Sequence, residues 1–192
     1  GVGRPVGLLH AAGVGDEGLL LELAVVRVQW MWASKAVGVW RLIGAATLVP
    51  CEGCLLFSSV ASGLGNVGQA NYAAANACLD AHALLRRAGG VMVCSLQWPL
   101  VGGAGMGAAA SRMVERRQLS MVGMASISLE EYAACLGRPL GTCVGVAASV
   151  RLVHRADAGE LVRDLADALE PRHGELVAAA SEQHVVRVNQ QW

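Results

Sequence analysis

Four short apolar runs, at residues 6–12, 54–59, 91–97 and 144–150, constrain the fold of this chain more than any other feature. Each suits a strand buried on both faces. Helix-compatible segments separate the first three runs, and a longer mixed stretch precedes the fourth. A strand that pairs parallel with its predecessor must first cross back over the sheet, and a helix usually makes that crossing. The pattern therefore predicts an α/β protein with a parallel sheet. Its clearest helix is expected at 71–87, rich in alanine and leucine and stopped by Gly89-Gly90. The glycine-rich stretch 102–107 is expected to link the third strand to the next helix, a place where substrate loops sit. After Val150 the character changes. Leu161, Leu165 and Leu169 share a face, which predicts an amphipathic helix at 158–169 inside a mixed tail, 151–192, read as a linker.

Composition narrows the function classes. The chain has 192 residues, 54% of them apolar and 16% charged, with 15 basic residues balancing 15 acidic ones. Such a chain is globular, and zero net charge gives no electrostatic footprint for nucleic acid. The most apolar stretch, 18–49, is broken by Glu22, Arg27, Gln29, Lys35 and Arg41. No uninterrupted run reaches the roughly 20 residues that a membrane span needs. The chain therefore reads as soluble. The six cysteines, at 51, 54, 78, 94, 135 and 143, lie mostly in apolar runs, where free cysteine behaves as a small hydrophobe. Cys51 and Cys54 form the only close pair, without a second pair or histidines at ligand spacing, so no metal is expected. A reducing compartment, cytoplasm or plastid, is the plainer expectation. The chain opens on Gly1 with no signal segment after it, and reads as starting partway through something longer.

Two glycine-rich or polar constellations compete for attention. Gly63-Leu-Gly-Asn-Val-Gly68 matches the G-x-G-x-x-G dinucleotide fingerprint, and it follows a strand and precedes a helix. The acidic residue that should end the next strand is missing, since Asp80 falls inside the predicted helix, so the phosphate-cradle reading is set aside. The second constellation is more informative. Ser59 ends a buried strand, where open α/β sheets place their ligands. Tyr72 follows thirteen residues later, Asn76 lies one helical turn beyond on the same face, and Lys35 lies 24 residues before Ser59 on the preceding helix.

Leu56-Phe-Ser-Ser-Val-Ala61 and Gly68-Gln-Ala-Asn-Tyr-Ala-Ala-Ala-Asn-Ala-Cys-Leu-Asp-Ala81 resemble the active-site segment of ketoreductases embedded in modular type I polyketide synthases. These are complex members of the short-chain dehydrogenase/reductase superfamily. Most of that superfamily carries Tyr-x-x-x-Lys, whereas this chain has Tyr72-x-x-x-Asn76 with the lysine on the earlier helix, as the synthase-embedded subfamily does. His10-Ala-Ala-Gly13, Ala33-Ser-Lys-Ala-Val-Gly-Val-Trp40 and Leu96-Gln-Trp-Pro-Leu100, leading to Gly105-Met106, are also similar. The likeness runs in order from about residue 6 to residue 150.

The resemblance implies a Rossmann-like fold and NADPH-dependent reduction of a β-ketoacyl thioester on acyl carrier protein to the β-hydroxyacyl thioester, in polyketide or fatty acid biosynthesis. It implies Lys35, Ser59, Tyr72 and Asn76 as catalytic residues. A free tyrosine has a pKa of about 10, and a nearby ammonium lowers it, so Lys35 would ease proton delivery from Tyr72. Ser59 would orient the carbonyl oxygen. Asn76 would hold the water or backbone group linking Lys35 to the proton supply. Ala11, Ala12, Gly13, Lys35, Tyr72, Trp98, Pro99 and Leu100 would bind the cofactor. Leu64, Gln69, Trp98 and Met106 would line the substrate groove. One stereochemical class of the family carries tryptophan where this chain has Leu64. The other carries Leu-Asp-Asp where it has Gly15-Asp16-Glu17, and the lean is to that second class, with a D-configured hydroxyl.

On this reading residues 1–150 are the C-terminal, catalytic part of a ketoreductase domain. The N-terminal nucleotide-binding half is expected to be missing, because too few residues precede the first strand to hold the family's glycine-rich loop. Its partners would be acyl carrier protein, other synthase domains and that missing half. The alternative is a non-catalytic remnant or scaffold piece unable to bind NADPH alone; the isolated chain is expected to bind NADPH poorly and to aggregate. Histidines 10, 82, 154, 173 and 184 receive no role. Arg112, Glu115, Arg116 and Arg117 are expected on a solvated helix face, and Trp30, Trp32 and Trp40 in the core.

Overall fold

A computed structural model describes residues 7–46, 53–65, 68–102, 126–142 and 150–152. The chain divides into two compact units, one of residues 1–98 with 132–153 and one of 99–131 with 154–192. The first holds the sheet. Its strands are β1 (Leu8–His10), β2 (Cys54–Ser59), β3 (Val93–Trp98) and β4 (Val150–Leu152), all parallel and ordered as in the sequence. This bears out the expected α/β parallel architecture. The third strand runs two residues later at its start than expected and one later at its end, so Trp98 closes it, opposite Ser59. Most of the expected fourth run, 144–149, lies outside the described residues, as do the helix expected at 158–169 and residues 112–117.

Between β1 and β2 the chain forms α1 (Val25–Trp32), a π-helical turn (Ala33–Val37) and α2 (Gly38–Ala46). Met31, Lys35, Val39 and Ile43 are all buried, each four residues after the last. Four α-helical residues overshoot one turn by about 40°, so a stripe at this spacing drifts around a regular helix. The wider π turn takes up part of the drift and keeps the stripe inward. Gly38 serves that turn, because a Cβ there would lie 3.1 Å from the Ala33 carbonyl oxygen and 3.4 Å from His10 Nε2.

Between β2 and β3 lie a short turn of helix, α3 (Ala61–Leu64), and the long α4 (Ala70–Ala88). Helix α4 matches the 71–87 expectation within a residue at each end, and the Gly89 amide closes it on the Leu85 and Arg86 carbonyls. Val39 and Ile43 of α2, Cys54 and Leu56 of β2, Leu79 and Ala83 of α4 and Val93 of β3 form one core cluster. That core depends on strand alternation: Cys54, Leu56 and Ser58 face α4, and Leu55 and Phe57 face the other way. On that other side Phe57 meets Trp98 at 5.6 Å and Tyr132, from α5 (Leu129–Thr142), at 6.5 Å between ring centroids. In the second unit, Ile127 pairs in parallel with Val101 and is tied to Leu100 and Gly102 by backbone hydrogen bonds.

One expectation fails. Trp30 and Trp40, expected in the core, are 54% and 61% exposed. The inward stripe of this helix is Met31, Lys35, Val39 and Ile43, and Trp30 and Trp40 each stand one residue off it, about 100° around the helix. Trp32 is half-buried. Cys54 and Cys94 are buried, and Cys78 and Cys135 are partly covered.

Candidate active site

The site forms where β1 and β2 end. Ala11 and Ala12 leave β1 exposed, and Gly13 follows half-buried. Ser59 closes β2, its Oγ accepting the Ala61 amide at 3.2 Å as α3 begins. Lys35, carried inward by the π turn, is only 3% exposed, and its ammonium donates to the Phe57 carbonyl at 2.7 Å. Its Nζ lies 5.9 Å from the centroid of the Tyr72 ring, within reach of the ring's negative face. Burial pushes the Lys35 pKa down to about 8, against the opposing pull of Asp80. The lysine therefore still carries most of its proton at neutral pH.

The structure thus brings Lys35 to Tyr72 and to the strand that ends in Ser59. Asn76 is fully buried one turn along α4 from Tyr72, and its Nδ2 donates back to the Tyr72 carbonyl at 2.9 Å. Its Oδ1 is buried with no hydrogen-bond partner among the described residues. Such an atom is expensive to leave bare and fits a donor such as an ordered water. Ser58 donates to the Asn76 carbonyl at 3.3 Å, which stitches β2 to α4 beside the site. Leu64 is half-buried in α3, and Gln69 stands at the N-terminal edge of α4. Trp98 is buried, 4.5 Å from the Tyr132 ring, with its indole N–H unpartnered. Pro99 and Leu100 belong to the second unit, and Met106 lies outside the described residues.

Gly13 shows how closely this site is packed. A Cβ at that position would stand 2.7 Å from Lys35 Cε and 3.1 Å from Nζ. Because the clashing atoms end a flexible side chain, Gly13→Ala is expected to leave thermal stability nearly unchanged while displacing the ammonium. The expected loss of turnover is tenfold or more, on the order of what a displacement of about 1 Å costs. A kinetic comparison beside a melting curve checks this, and undiminished turnover would show that the ammonium's position does not matter.

Residues outside the predicted catalytic set gather around these four. His10 is buried, and desolvation, then the nearby Lys35 charge, lower its pKa, so the imidazole stays neutral. Asp16 accepts Nε and a terminal nitrogen of Arg27 and, at 3.2 Å, Asn71 Nδ2. The Arg27 hydrogen bond holds the Asp16 carboxyl below the usual carboxylate range. Together with the Gly18 amide on the Gly68 carbonyl, this clamp fastens the loop after β1 to the residue before Tyr72. Asp80 is bound by Ser62, Ser95 and Gln97. One available signal went unused: Lys35 is the only lysine in the chain. Among the described residues no group of three or more His, Cys, Asp or Glu could hold a metal, and no helix is long and apolar enough to cross a membrane.

A family model for the KR domain matches residues 4–103, over half the chain. The chain belongs to the KR family. Its KR segment is 46% identical over 104 residues to polyketide synthase GfsA of Streptomyces halstedii, covering 54% of this chain and 1% of that protein. It is 40% identical over 124 residues to the spectinabilin polyketide synthase system protein NorB of Streptomyces orinoci, covering 65% and 6%. Among solved structures it is similar to A-type ketoreductases from a modular polyketide synthase, with a TM-score of 0.74 and 27% identity over 91% of this chain and 36% of that one. The first ketoreductase of the tylosin synthase gives a TM-score of 0.70 and 28% identity, covering 90% and 38%. The KR chain thus spans little more than a third of these ketoreductase structures and a few per cent of the synthases. The Rossmann-like arrangement and the polyketide-synthase kinship implied by the sequence are both borne out.

Proposed function

We propose that this KR chain carries the proton-delivering half of an NADPH-dependent reduction of β-ketoacyl thioesters on acyl carrier protein. The observation that supports it most is the buried Lys35 ammonium, set against the Tyr72 ring and hydrogen-bonded to the Phe57 carbonyl of the strand that ends in Ser59. Hydride addition to a ketone leaves negative charge on oxygen, and that oxygen needs a donor and then a proton. Ser59 Oγ is the donor that orients the carbonyl. Tyr72 transfers its phenolic proton, and the Lys35 charge stabilises the phenolate left behind. Asn76 Oδ1 takes a water that returns the proton.

The residues at this edge of the sheet fit a nicotinamide nucleotide. Ala11 and Ala12 are exposed and carry nothing beyond Cβ, and Gly13 has no side chain to come between the backbone and Lys35. These three, with Lys35, Tyr72 and Trp98, would hold the cofactor, which supplies the hydride when bound. Trp98 contributes as a wall, being enclosed by Phe57 and Tyr132. Leu64 and Gln69 would line the acyl groove. Leu64 and the Gly15-Asp16-Glu17 trio favour the D-configured alcohol. One solved neighbour of the same fold, an angucycline ketoreductase, has NADP bound.

The test is oxidation of NADPH by a complete ketoreductase polypeptide containing this chain, with and without a β-ketoacyl thioester of N-acetylcysteamine. Thioester-dependent oxidation yielding one β-hydroxy product per NADPH is expected. Bound NADPH without any ketone-dependent oxidation would overturn the reading.

A further inference from the structure

Asp80 is a buried carboxylate, at 9% exposure, and the reaction just described gives it no task. It lies on α4 one turn beyond Asn76 and two beyond Tyr72, on the same inward face. Its Oδ1 accepts Ser95 Oγ at 2.6 Å, and its Oδ2 accepts Ser62 Oγ at 2.6 Å and Gln97 Nε2 at 2.8 Å. Among the described residues no Arg or Lys forms a salt bridge with it. A carboxylate that accepts from three neutral donors ties together the elements that carry them.

One of these elements is the turn that carries Ser59. Ser62 Oγ lies 2.7 Å from the Ser59 carbonyl oxygen as well as 2.6 Å from Asp80, and it accepts Gln97 Nε2 at 2.9 Å. The hydroxyl has one proton, shared between the Ser59 carbonyl and the carboxylate. Helix α3 is only four residues long and has no side-chain cap of its own; the Val60 amide is held by the Trp98 carbonyl and the Gly63 and Leu64 amides by the Val60 carbonyl, and Ser62 is the side chain that ties the turn to α4.

We propose that Asp80 is a positioning residue: through Ser62 and Gln97 it fixes the turn after β2, and with it the direction in which the Ser59 hydroxyl meets the substrate carbonyl. The proposal rests on the role given to Ser59 above. The same carboxylate also supports the Lys35 charge from within α4, since Asp80 is the group that favours the protonated lysine. The other groups facing Lys35 are His10 from β1 and Tyr72 from α4, with the Phe57 carbonyl from β2.

Two variants of the complete polypeptide separate these effects. Ser62→Ala keeps the carboxylate and its bonds to Ser95 and Gln97 while cutting the link to Ser59. It is expected to speed amide exchange at Ala61, Gly63 and Leu64 about tenfold, the equivalent of one lost hydrogen bond. The α4 amides should stay protected, and kcat should fall by a similar factor with KM unchanged. Asp80→Asn keeps the shape and removes the charge. It should loosen the same amides and lower the pH at which Lys35, read by its assigned 15N resonance, loses its proton. Unchanged exchange at Ala61–Leu64 in both variants would overturn the proposal, and so would faster exchange in Ser62→Ala with kcat intact. An unmoved Lys35 midpoint in Asp80→Asn would remove the electrostatic part. Exchange and lysine titration need no substrate, so they report on Asp80 even if the parent polypeptide reduces no thioester.

Discussion

Replacing Tyr72 by phenylalanine is expected to lower kcat for thioester reduction by about 10²–10⁴-fold, the usual contribution of a general acid. The substitution removes one oxygen and leaves the ring in place. That ring is half-buried and sits near the Lys35 ammonium, so stability should barely change. KM should hold as well, because the proton is transferred only in the transition state, and interactions made only there appear in kcat. Single-turnover kinetics on a complete ketoreductase polypeptide would read the effect directly. Equal rates in parent and variant would remove Tyr72 from the chemistry and shift attention to a water as proton source.

The second large effect belongs to Lys35. With one lysine in the chain, a 15N-lysine spectrum should show a single side-chain resonance, titrating near the lowered value of about 8. In the unfolded chain the same ammonium keeps its proton up to about 10.5. Between those two pH values the unfolded state binds more protons, so raising the pH favours the folded state. Stability should therefore climb from about pH 8 to pH 10.5 by on the order of 3 kcal/mol, and the gain should vanish as pH falls back through 8. Lys35→Met should show no such climb in denaturant melts, which isolates the lysine from other groups that titrate in alkali. The same titration should switch off catalysis, since kcat depends on the charged lysine and should fall as pH rises through about 8. A lysine midpoint near 10.5 would place the ammonium in water and remove the basis for its role.

Much of this molecule is written locally. Strand β2 matched its apolar run residue for residue, and α4 its alanine-rich segment within a residue at each end, because both are short-range patterns of burial and propensity. Trp30 and Trp40 were misplaced because an apolar segment reveals that a helix is buried, not which face turns inward. That face was set by the π turn around Lys35, a local geometry chosen by packing on β2 and α4. Asp80 was visible only as an acid in the wrong place for a nucleotide fingerprint. Its partners Ser62, Ser95 and Gln97 stand up to 18 residues away in sequence, and nothing in their own surroundings marks them.

By itself, then, the sequence determined the order of strands and helices and the kinship of the KR segment, and it supplied the four residues proposed for the chemistry. These follow from apolar periodicity and from motifs that are contiguous along the chain. Only the tertiary structure decided that Lys35 would be buried against Phe57, that Asn76 Oδ1 would be left without a partner among the described residues, and that a buried carboxylate would hold the turn at Ser59. Those features arise where parallel strands bring distant segments side by side, and the desolvation and hydrogen bonding that result exist only once the sheet has formed.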